Sequence, residues 1–199
     1  MRKIIFFLLS NPALFNSVRK IIAGNQKNTK DFVKITLENY NAKSVLDVGC
    51  GTGDFVDAIP QKTSYLGIDI DPKFISYARR NYEKEKRDFL VGDINNNELL
   101  KNKTFDAALL ISTLHHLSDF ELEKILPLIK RHTKKVIIVA DIIPNPDNLL
   151  RELMVKLDRG SYVRRREEKI KILKKYFKIV NTKVIKSRLA VQFGIICEK

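Results

Sequence analysis

Short apolar runs alternate along the chain with segments whose apolar residues recur at helical spacing. The runs are rich in branched residues and are bounded by Gly, Pro or polar residues; they occupy residues 44–48, 64–71, 88–91, 105–112, 135–141, 178–186 and 190–198. The first five resemble buried parallel strands, and the last two predict an antiparallel pair at the edge of the sheet. Alternation of strands with helical segments predicts an α/β fold.

Two helical segments precede the first predicted strand. Asn11 is a suitable cap for a helix that has Pro12 at its first position, and Thr29 begins a second helix. The apolar run at residues 4–9 is too short to span a membrane, so it predicts a short packed helix or a weak interfacial anchor beside Arg2 and Lys3. We expect one domain over residues 1–199, with a helical cover at 1–42 and a core at 43–199.

A glycine-rich turn follows the first strand, and residues 54–59 after it predict a helix that stops at Pro60. A dinucleotide site requires Gly-x-Gly-x-x-Gly, whereas this chain has Gly49-x-Gly51-x-Gly53 and Asp54 in place of the third Gly. Asp47 and Asp54 bracket the turn with negative charge, which repels a phosphate. The turn therefore favours a cationic ligand over a pyrophosphate.

The stretch Val-Leu-Asp-Val-Gly-Cys-Gly-Thr-Gly at residues 45–53 resembles the first motif of the class I S-adenosylmethionine-dependent methyltransferases. The resemblance implies a Rossmann-like fold with a seven-stranded, mostly parallel sheet in the order 3-2-1-4-5-7-6, helices on both faces and an N-terminal helical cover. It implies S-adenosylmethionine as cofactor, S-adenosylhomocysteine as product and no metal. The implied cofactor-binding residues of this motif are Asp47, Gly49, Cys50, Gly51 and Gly53.

Acidic residues at the ends of later strands extend the predicted cofactor site. Asp69 follows Gly49 by the spacing at which such folds place a carboxylate for the ribose hydroxyls, and Asp71 with Pro72 instead begins a helix. Ile70 offers an apolar face to the adenine. By the same resemblance, the remaining cofactor contacts are Asp93, Ile94, Ile111 and Ser112.

Two adjacent histidines follow the fourth strand. The run Leu-His-His-Leu at residues 114–117 resembles the fourth motif of the family, and parallel sheets bind ligands beyond the carboxyl ends of their strands. Imidazoles titrate near neutral pH, so His116 or His115 is a candidate general base. The alternative is that both histidines pack against and cap the next helix.

The acceptor residues are predicted from the second half of the chain. Asp141 ends the fifth strand, and residues 158–164 resemble a motif in a bacterial methyltransferase subgroup associated with polysaccharide-biosynthesis gene neighbourhoods. Arg159 and Arg164 are candidate ligands for a carboxylate or phosphate, and Tyr162 is a candidate to stack on or hydrogen-bond the acceptor. The alternative is a structural Asp–Arg turn.

Composition narrows the possible partners. The 199 residues carry a formal net charge of +14, which favours anionic partners or simply a Lys-rich solvated surface. Two cysteines make no disulfide framework, so a reducing cytoplasm is expected. We expect a small-molecule methyltransferase; an RNA or protein methyltransferase is favoured by charge alone, and the intact glycine loop argues against a non-catalytic binding protein.

Overall fold

The structure is a computed structural model that describes residues 11–96, 98–144, 160–188 and 190–199. The described residues form a seven-stranded sheet in the order β3-β2-β1-β4-β5-β7-β6, which confirms the predicted order. The strands are β1 (Ser44–Val48), β2 (Ser64–Asp69), β3 (Arg87–Val91), β4 (Phe105–Ile111), β5 (Thr133–Ile142), β6 (Lys178–Lys186) and β7 (Val191–Glu198).

Six of the seven strands run in the same direction, and β7 alone runs against them. β1 lies at the centre, paired in parallel with β2 and β4, while β7 runs antiparallel between β5 and β6. The carboxyl ends of β1, β2, β4 and β5 therefore meet at one edge, which is where open α/β sheets place their ligands.

Helices cover both faces of this sheet. They are α1 (Pro12–Ala23), α2 (Lys27–Asn39), α3 (Pro72–Tyr82), α4 (Asp119–His132) and α5 (Arg166–Lys174). Side chains of α2 and α3, including Val33 and Ile75, pack with Val45 of β1 on one face. Side chains of α4 and α5, including Leu122 and Leu173, pack with the next residue, Leu46, on the other face. This alternation buries β1 on both sides, as a central parallel strand requires.

Local signals in the sequence begin these helices. The Asn11 side chain accepts hydrogen bonds from the first turn of α1, Asp71 caps α3 in the same way, and a proline follows each cap. Ser118 and Glu121 form a capping box at the start of α4. These starts confirm the predictions made for α1 and α3.

The helix predicted over residues 54–59 is wrong. This segment holds only turns and the three-residue 3₁₀ helix Val56–Ala58. Six residues between a glycine-rich turn and Pro60 are too few to offset the cost of helix nucleation. The glycine loop therefore does not lead into the N-terminus of an α-helix.

Some sequence predictions fall outside the described residues. They are the apolar run at 4–9 and the candidate acceptor ligand Arg159. No helix within the described ranges has the length and apolarity needed to cross a membrane.

Candidate active site

The glycine loop is a tight backbone turn with three residues in the left-handed region. Gly49, Gly51 and Gly53 have φ angles of 74°, 55° and 83°, which L side chains adopt only with strain. A Cβ on Gly49 would lie 3.0 Å from the Thr113 side chain, whose hydroxyl donates to the carbonyl of Val48 at 3.0 Å. The turn thus keeps bare backbone at the carboxyl end of β1.

The backbone amides of this turn are largely used inside the protein. Gly49 and Cys50 both donate to the carbonyl of Ile68, at 2.8 and 3.1 Å. Gly51 donates to an oxygen of Asp69 at 2.8 Å, and Gly53 donates to Cys50. Few donors remain for an anion, so the turn differs from a phosphate-binding loop, where backbone N–H groups point at the ligand.

Asp69 joins the turn to the end of β2. Its second oxygen accepts from the backbone N–H of Asp71 at 2.9 Å. Burial raises the pKa of Asp69 above its ordinary value, although the hydrogen bonds from Asp71 and Gly51 oppose that rise. An ionised carboxylate has about four acceptor positions, so two backbone hydrogen bonds leave Asp69 with capacity for ribose hydroxyls.

Asp47 is the most deeply buried acid near the turn. It is 2% exposed, and the Tyr65 hydroxyl donates to it at 2.8 Å. Burial raises the pKa of Asp47 to about 7; the Tyr65 hydrogen bond acts against this rise, and the charge of Asp69 adds to it. Asp47 is therefore partly protonated at neutral pH. It contributes less negative charge to the turn than the sequence analysis predicted.

Helix α1 lies across the turn and contacts it with polar side chains. Arg19 forms an ion pair with Asp54, and the Thr52 hydroxyl donates to the Asn16 side chain at 2.8 Å. The Phe15 ring packs on Phe74 of α3 with a centroid distance of 5.1 Å. Sequence reasoning missed Asn16 and Arg19; both lie on the polar face of α1, and no residue type in that segment signals a contact with the turn.

The other predicted cofactor residues lie along the same edge of the sheet. Ile70 is 74% exposed at the end of β2. Asp93 is exposed and accepts from the backbone and side-chain amides of Asn95, while the Ile94 side chain is buried. Ile111 is buried and Ser112 has a positive φ of 54° at the end of β4. Positive φ at a non-glycine residue is unusual and is concentrated at functional sites.

The two histidines have different surroundings. The His115 side chain is 2% exposed, and its Nδ1 lies 2.5 Å from Oδ1 of Asp141. His116 is exposed, and its ring lies 4.1 Å from that of His115, measured between centroids. Of the two candidate bases, His116 is the exposed residue and His115 the buried one.

Asp141 has a different role from the acceptor contact predicted for it. The side chain is 0% exposed, and its other oxygen lies 2.5 Å from Nζ of Lys169 on α5. Burial alone would raise the pKa of Asp141, but His115 and Lys169 hold it well below its ordinary value. Both oxygens are engaged away from solvent, so Asp141 cannot reach an acceptor. Sequence reasoning missed Lys169, although it precedes the buried Leu173 by one helical turn.

Arg164 is likewise structural in this fold, which overturns its predicted role as an acceptor ligand. Its guanidinium donates to Asp119 at 3.0 and 2.6 Å, to Leu114 and Leu117 carbonyls at 2.9 and 2.7 Å, and to the Tyr162 carbonyl at 3.2 Å. These bonds use the five N–H groups of the side chain. Arg164 therefore clamps the histidine loop to the start of α4.

Residues 160–162 pack against the histidine loop. A Cβ on Gly160 would lie 2.0 Å from Cδ2 of His115, so only glycine fits there. The backbone N–H of Tyr162 donates to the His115 carbonyl at 2.9 Å, while its side chain is 44% exposed. The structure thus brings together the Leu-His-His-Leu loop and the described part of the 158–164 segment, as two walls of one candidate acceptor site.

Residues 45–136 match a family model described as a methyltransferase domain. A comparison with curated protein sequences finds no match.

Several solved structures share the fold. Magnesium protoporphyrin IX methyltransferase of Synechocystis PCC 6803, solved with bound SAH, is 19% identical, with 88% of this chain and 84% of that chain covered and a TM-score of 0.69. N-methyltransferase NodS of Bradyrhizobium japonicum is 14% identical, with 88% and 96% covered and a TM-score of 0.70. An O-methyltransferase family protein of Burkholderia thailandensis is 13% identical, with 94% and 59% covered and a TM-score of 0.74.

The sheet order and these likenesses define the fold. The chain has the Rossmann-like fold of class I methyltransferases, and the matched segment runs from β1 into β5. It therefore contains the glycine turn, the ends of β2 and β3, and the histidine loop.

Proposed function

We propose that this protein is an S-adenosylmethionine-dependent methyltransferase that methylates a small, anionic metabolite, sugar or lipid-linked acceptor. The observation that carries the proposal is the glycine turn at the end of β1, with Asp69 bound to it and no α-helix behind it. The matching methyltransferase-domain model supports the same class of reaction.

The chemistry of the turn favours a sulfonium over a phosphate. A pyrophosphate is stabilised by the positive end of a helix dipole and by unpaired N–H groups. Here the segment after the turn is a three-residue 3₁₀ helix, and four amides of the turn already have acceptors. Asp69 adds negative charge, which attracts a cation and repels a phosphate.

The cofactor fits the edge of the sheet in one direction. Asp69 would accept from the ribose hydroxyls, Ile70 would cover one face of the adenine, and Asp93 would accept from the adenine amino group. The bare backbone at Gly49 and Gly51 would take the methionine portion. A side chain at Gly49 is excluded in any case, since its Cβ would lie 3.0 Å from Thr113. In this direction the sulfur would lie near Ser112 and the histidine loop.

The reaction needs an aligned acceptor and a place for one proton. When bound, S-adenosylmethionine supplies a methyl group on a positively charged sulfur, which keeps the bonding electron pair and leaves as S-adenosylhomocysteine. His116 would take the proton from an acceptor hydroxyl or amine as the new bond to the methyl carbon forms. Tyr162 and the histidine loop would hold the acceptor in line and exclude water.

Fewer observations support the proposed class of acceptor. Solved proteins with this fold include methyltransferases whose names give small molecules, magnesium protoporphyrin IX and N-acetylserotonin. The resemblance of residues 158–164 to a subgroup found near polysaccharide-biosynthesis genes points to a sugar or lipid-linked acceptor, and the net charge of +14 favours an anionic one. A weak contact with an anionic membrane surface is compatible with the same charge.

We also propose that residues 1–42 and 43–199 act as one domain. The ion pair of Arg19 with Asp54 and the hydrogen bond between Thr52 and Asn16 support it, because they join α1 to the cofactor turn. The proposed compartment is the cytoplasm; the two unpaired, buried cysteines support a reducing one.

Calorimetry with S-adenosylmethionine and S-adenosylhomocysteine tests the cofactor. We expect the wild-type protein to bind both and Asp69→Ala to lose binding. Asp88→Ala is the matched control, because Asp88 is an exposed acid on β3 with the same charge; it should bind as the wild type does. Unchanged affinity in Asp69→Ala, or preference for a nicotinamide dinucleotide, would overturn the assignment.

Labelled S-adenosylmethionine, incubated with purified protein and a cell extract, tests the acceptor. The proposal predicts that label enters the small-molecule fraction. Label that enters RNA in a salt-sensitive manner, or enters protein, would replace the proposed acceptor class with a macromolecule. Cofactor binding without label transfer in any fraction would favour a non-catalytic binding protein.

A further inference from the structure

A buried glutamine lies between helix α2 and the end of β4. Gln192 of β7 is 4% exposed, and its backbone is paired with Ile142 of β5 and Ile185 of β6. Its side-chain oxygen accepts from the Thr29 hydroxyl at 2.6 Å, and its side-chain nitrogen donates to the Ser112 hydroxyl oxygen at 2.9 Å. One amide therefore connects the first turn of α2 to the residue that follows β4.

This glutamine lies in a strand whose other inward side chains are apolar. Val191, Phe193 and Ile195 belong to the core on the side of α4 and α5, and Ile196 packs against the core on the side of α2. Because successive side chains of a strand point to opposite faces, Gln192 lies on the α2 side. Burying an amide costs free energy unless its polar atoms are hydrogen-bonded, and an apolar side chain would avoid that cost. What the amide adds is a fixed direction for the two hydroxyls that it joins.

The two distances indicate how the amide is oriented. Hydrogen bonds from a hydroxyl to an oxygen are commonly about 2.7–2.8 Å long, whereas those from a nitrogen to an oxygen are commonly about 2.9–3.0 Å. The 2.6 Å contact with Thr29 therefore fits the amide oxygen, and the 2.9 Å contact with Ser112 fits the amide nitrogen. Ser112 accepts from Gln192 in this orientation, so its own hydroxyl hydrogen is directed at another group.

Ser112 lies at the ligand-binding edge of the sheet. Its backbone N–H donates to the Ala140 carbonyl at 2.8 Å, and the hydroxyl of the next residue, Thr113, donates to the Val48 carbonyl beside the glycine turn. The φ angle of 54° at Ser112 is a left-handed conformation that costs free energy at a non-glycine residue. Its half-buried hydroxyl is thus held in place next to the glycine turn.

The glycine turn itself has few donors for a carboxylate. Four of its amides already have acceptors inside the protein, and the nearby Arg19 is paired with Asp54. S-adenosylmethionine carries a carboxylate on its methionine portion, which the proposed direction of binding brings to this side of the turn. A carboxylate that leaves water needs hydrogen-bond donors, and the Ser112 hydroxyl can supply one.

We propose that Gln192 is a positioning residue that turns the Ser112 hydroxyl towards the carboxylate of the cofactor's methionine portion, with Thr29 fixing the amide. The inference rests on the proposed function, because it takes S-adenosylmethionine as the ligand of this edge. A reversed amide would accept from Ser112 and withdraw its hydrogen from the ligand. The contact with Thr29 favours the orientation in which the amide nitrogen faces Ser112.

Calorimetry with two ligands tests this assignment. S-adenosylhomocysteine carries the carboxylate, whereas 5′-methylthioadenosine has the adenosine and the sulfur without the amino-acid portion. Gln192→Met keeps the length of the side chain and removes both amide hydrogen bonds. It should bind S-adenosylhomocysteine about threefold to tenfold more weakly than the wild type and bind 5′-methylthioadenosine equally well. Equal weakening for both ligands would make Gln192 a packing residue, and unchanged binding of both would also overturn the proposal.

A second set of variants shows whether Gln192 acts through Ser112. Ser112→Gly removes the hydroxyl at a φ angle that glycine adopts without strain. It should weaken binding of S-adenosylhomocysteine about tenfold to a hundredfold, because it removes a hydrogen bond to a charged group. Adding Gln192→Met to this variant should cause no further loss, since the hydroxyl that the amide orients is gone. Losses that simply multiply would contradict the proposal.

Thr29→Val covers the case in which Gln192→Met fails to fold. It removes the donor to the amide oxygen, so it should weaken binding of S-adenosylhomocysteine and not of 5′-methylthioadenosine. Thr36→Val is the matched control, because Thr36 is also buried on α2 and its hydroxyl donates to the Phe32 carbonyl of the same helix. This control should bind both ligands as the wild type does, and equal effects of the two substitutions would overturn the proposal.

The same measurements separate this inference from the proposed function. A wild-type protein that binds neither ligand would remove the proposed function. A wild-type protein that binds both, with no selective loss in the variants, would remove only the positioning role of Gln192.

Discussion

Replacing Asp47 by Asn should change the stability relative to the wild type by an amount that becomes more favourable as the pH rises. Asp47 is buried in β1, and the Tyr65 hydroxyl donates to it at 2.8 Å. Asn has nearly the same shape, stays neutral at every pH, and its carbonyl oxygen still accepts from Tyr65. The substitution therefore removes the ionisation and leaves the packing in place.

The size of the effect follows from the pKa of Asp47, which burial raises from 3.8 to about 7. Between these values the folded protein holds a proton that the unfolded chain has released, so the free energy of unfolding falls as pH rises through that window. A rise of about 3 units, at about 1.4 kcal/mol each, corresponds to about 4 kcal/mol over the whole titration. About 2–3 kcal/mol of it falls between about pH 5 and about pH 8.

Guanidinium unfolding of both proteins across this pH range measures the difference. Asp47→Asn should gain on the wild type steadily as pH rises, reaching about 2–3 kcal/mol more at about pH 8 than at about pH 5. In a chain of this length that is a shift of roughly 4–12 °C in melting temperature. If the difference in the free energy of unfolding between the two proteins stays constant with pH, Asp47 is ionised in the folded protein and the reasoning is refuted.

Three further substitutions test other parts of the structure. Asp106→Asn should have the opposite pH dependence: although burial opposes it, hydrogen bonds from the Lys43 backbone and the charge of Lys135 lower the pKa of Asp106. The stabilisation is present above the unfolded pKa and is lost as pH falls through the folded one; denaturation at neutral and acidic pH checks this. Arg164→Met should cost about 2–4 kcal/mol in urea unfolding, since it leaves buried carbonyls unpaired, and wild-type stability would contradict the clamp. His116→Ala should bind S-adenosylhomocysteine normally in calorimetry but lose label transfer to the extract; equal loss of both would remove its role as base.

The sheet was predictable because its signals are local. Branched apolar runs of strand length, separated by helical segments, identify the parallel strands, and the order of the seven follows from the resemblance carried by residues 45–53. The tight turn was equally predictable from its three glycines, because only glycine adopts φ angles of 55° to 83° without strain. The caps at Asn11 and Asp71 depend on residues within three positions of each cap.

The segment after the turn was not predictable from propensity. Residues 54–59 have helical spacing of apolar side chains, yet the structure holds a 3₁₀ turn there. Phe55, Val56, Ala58 and Ile59 are all buried in the core beneath α2. Packing on several sides, rather than on one stripe, satisfies those residues, and spacing within six residues does not distinguish the two cases.

The interior charges were missed for a different reason. Lys169 lies in a basic run that predicts a solvated helix face, and Arg164 begins that run. What buries them is a partner far along the chain: Asp141 for Lys169, and Asp119 with two loop carbonyls for Arg164. A pairing across that distance produces no periodic pattern in the sequence. A run of charged residues therefore does not indicate which of its members are buried in the fold.

The charge at the glycine turn is determined by which acids are paired or protonated, and not by the number of acids alone. Arg19 neutralises Asp54 and burial keeps much of Asp47 protonated, so Asp69 is the acid that most determines the local sign. The net charge of +14 does not reverse that sign, because charges farther than a Debye length, about 8 Å at physiological salt, are largely screened. One protein can therefore bind a cationic ligand at the turn and an anionic acceptor farther out, since each ligand interacts mainly with the charges within a Debye length of it.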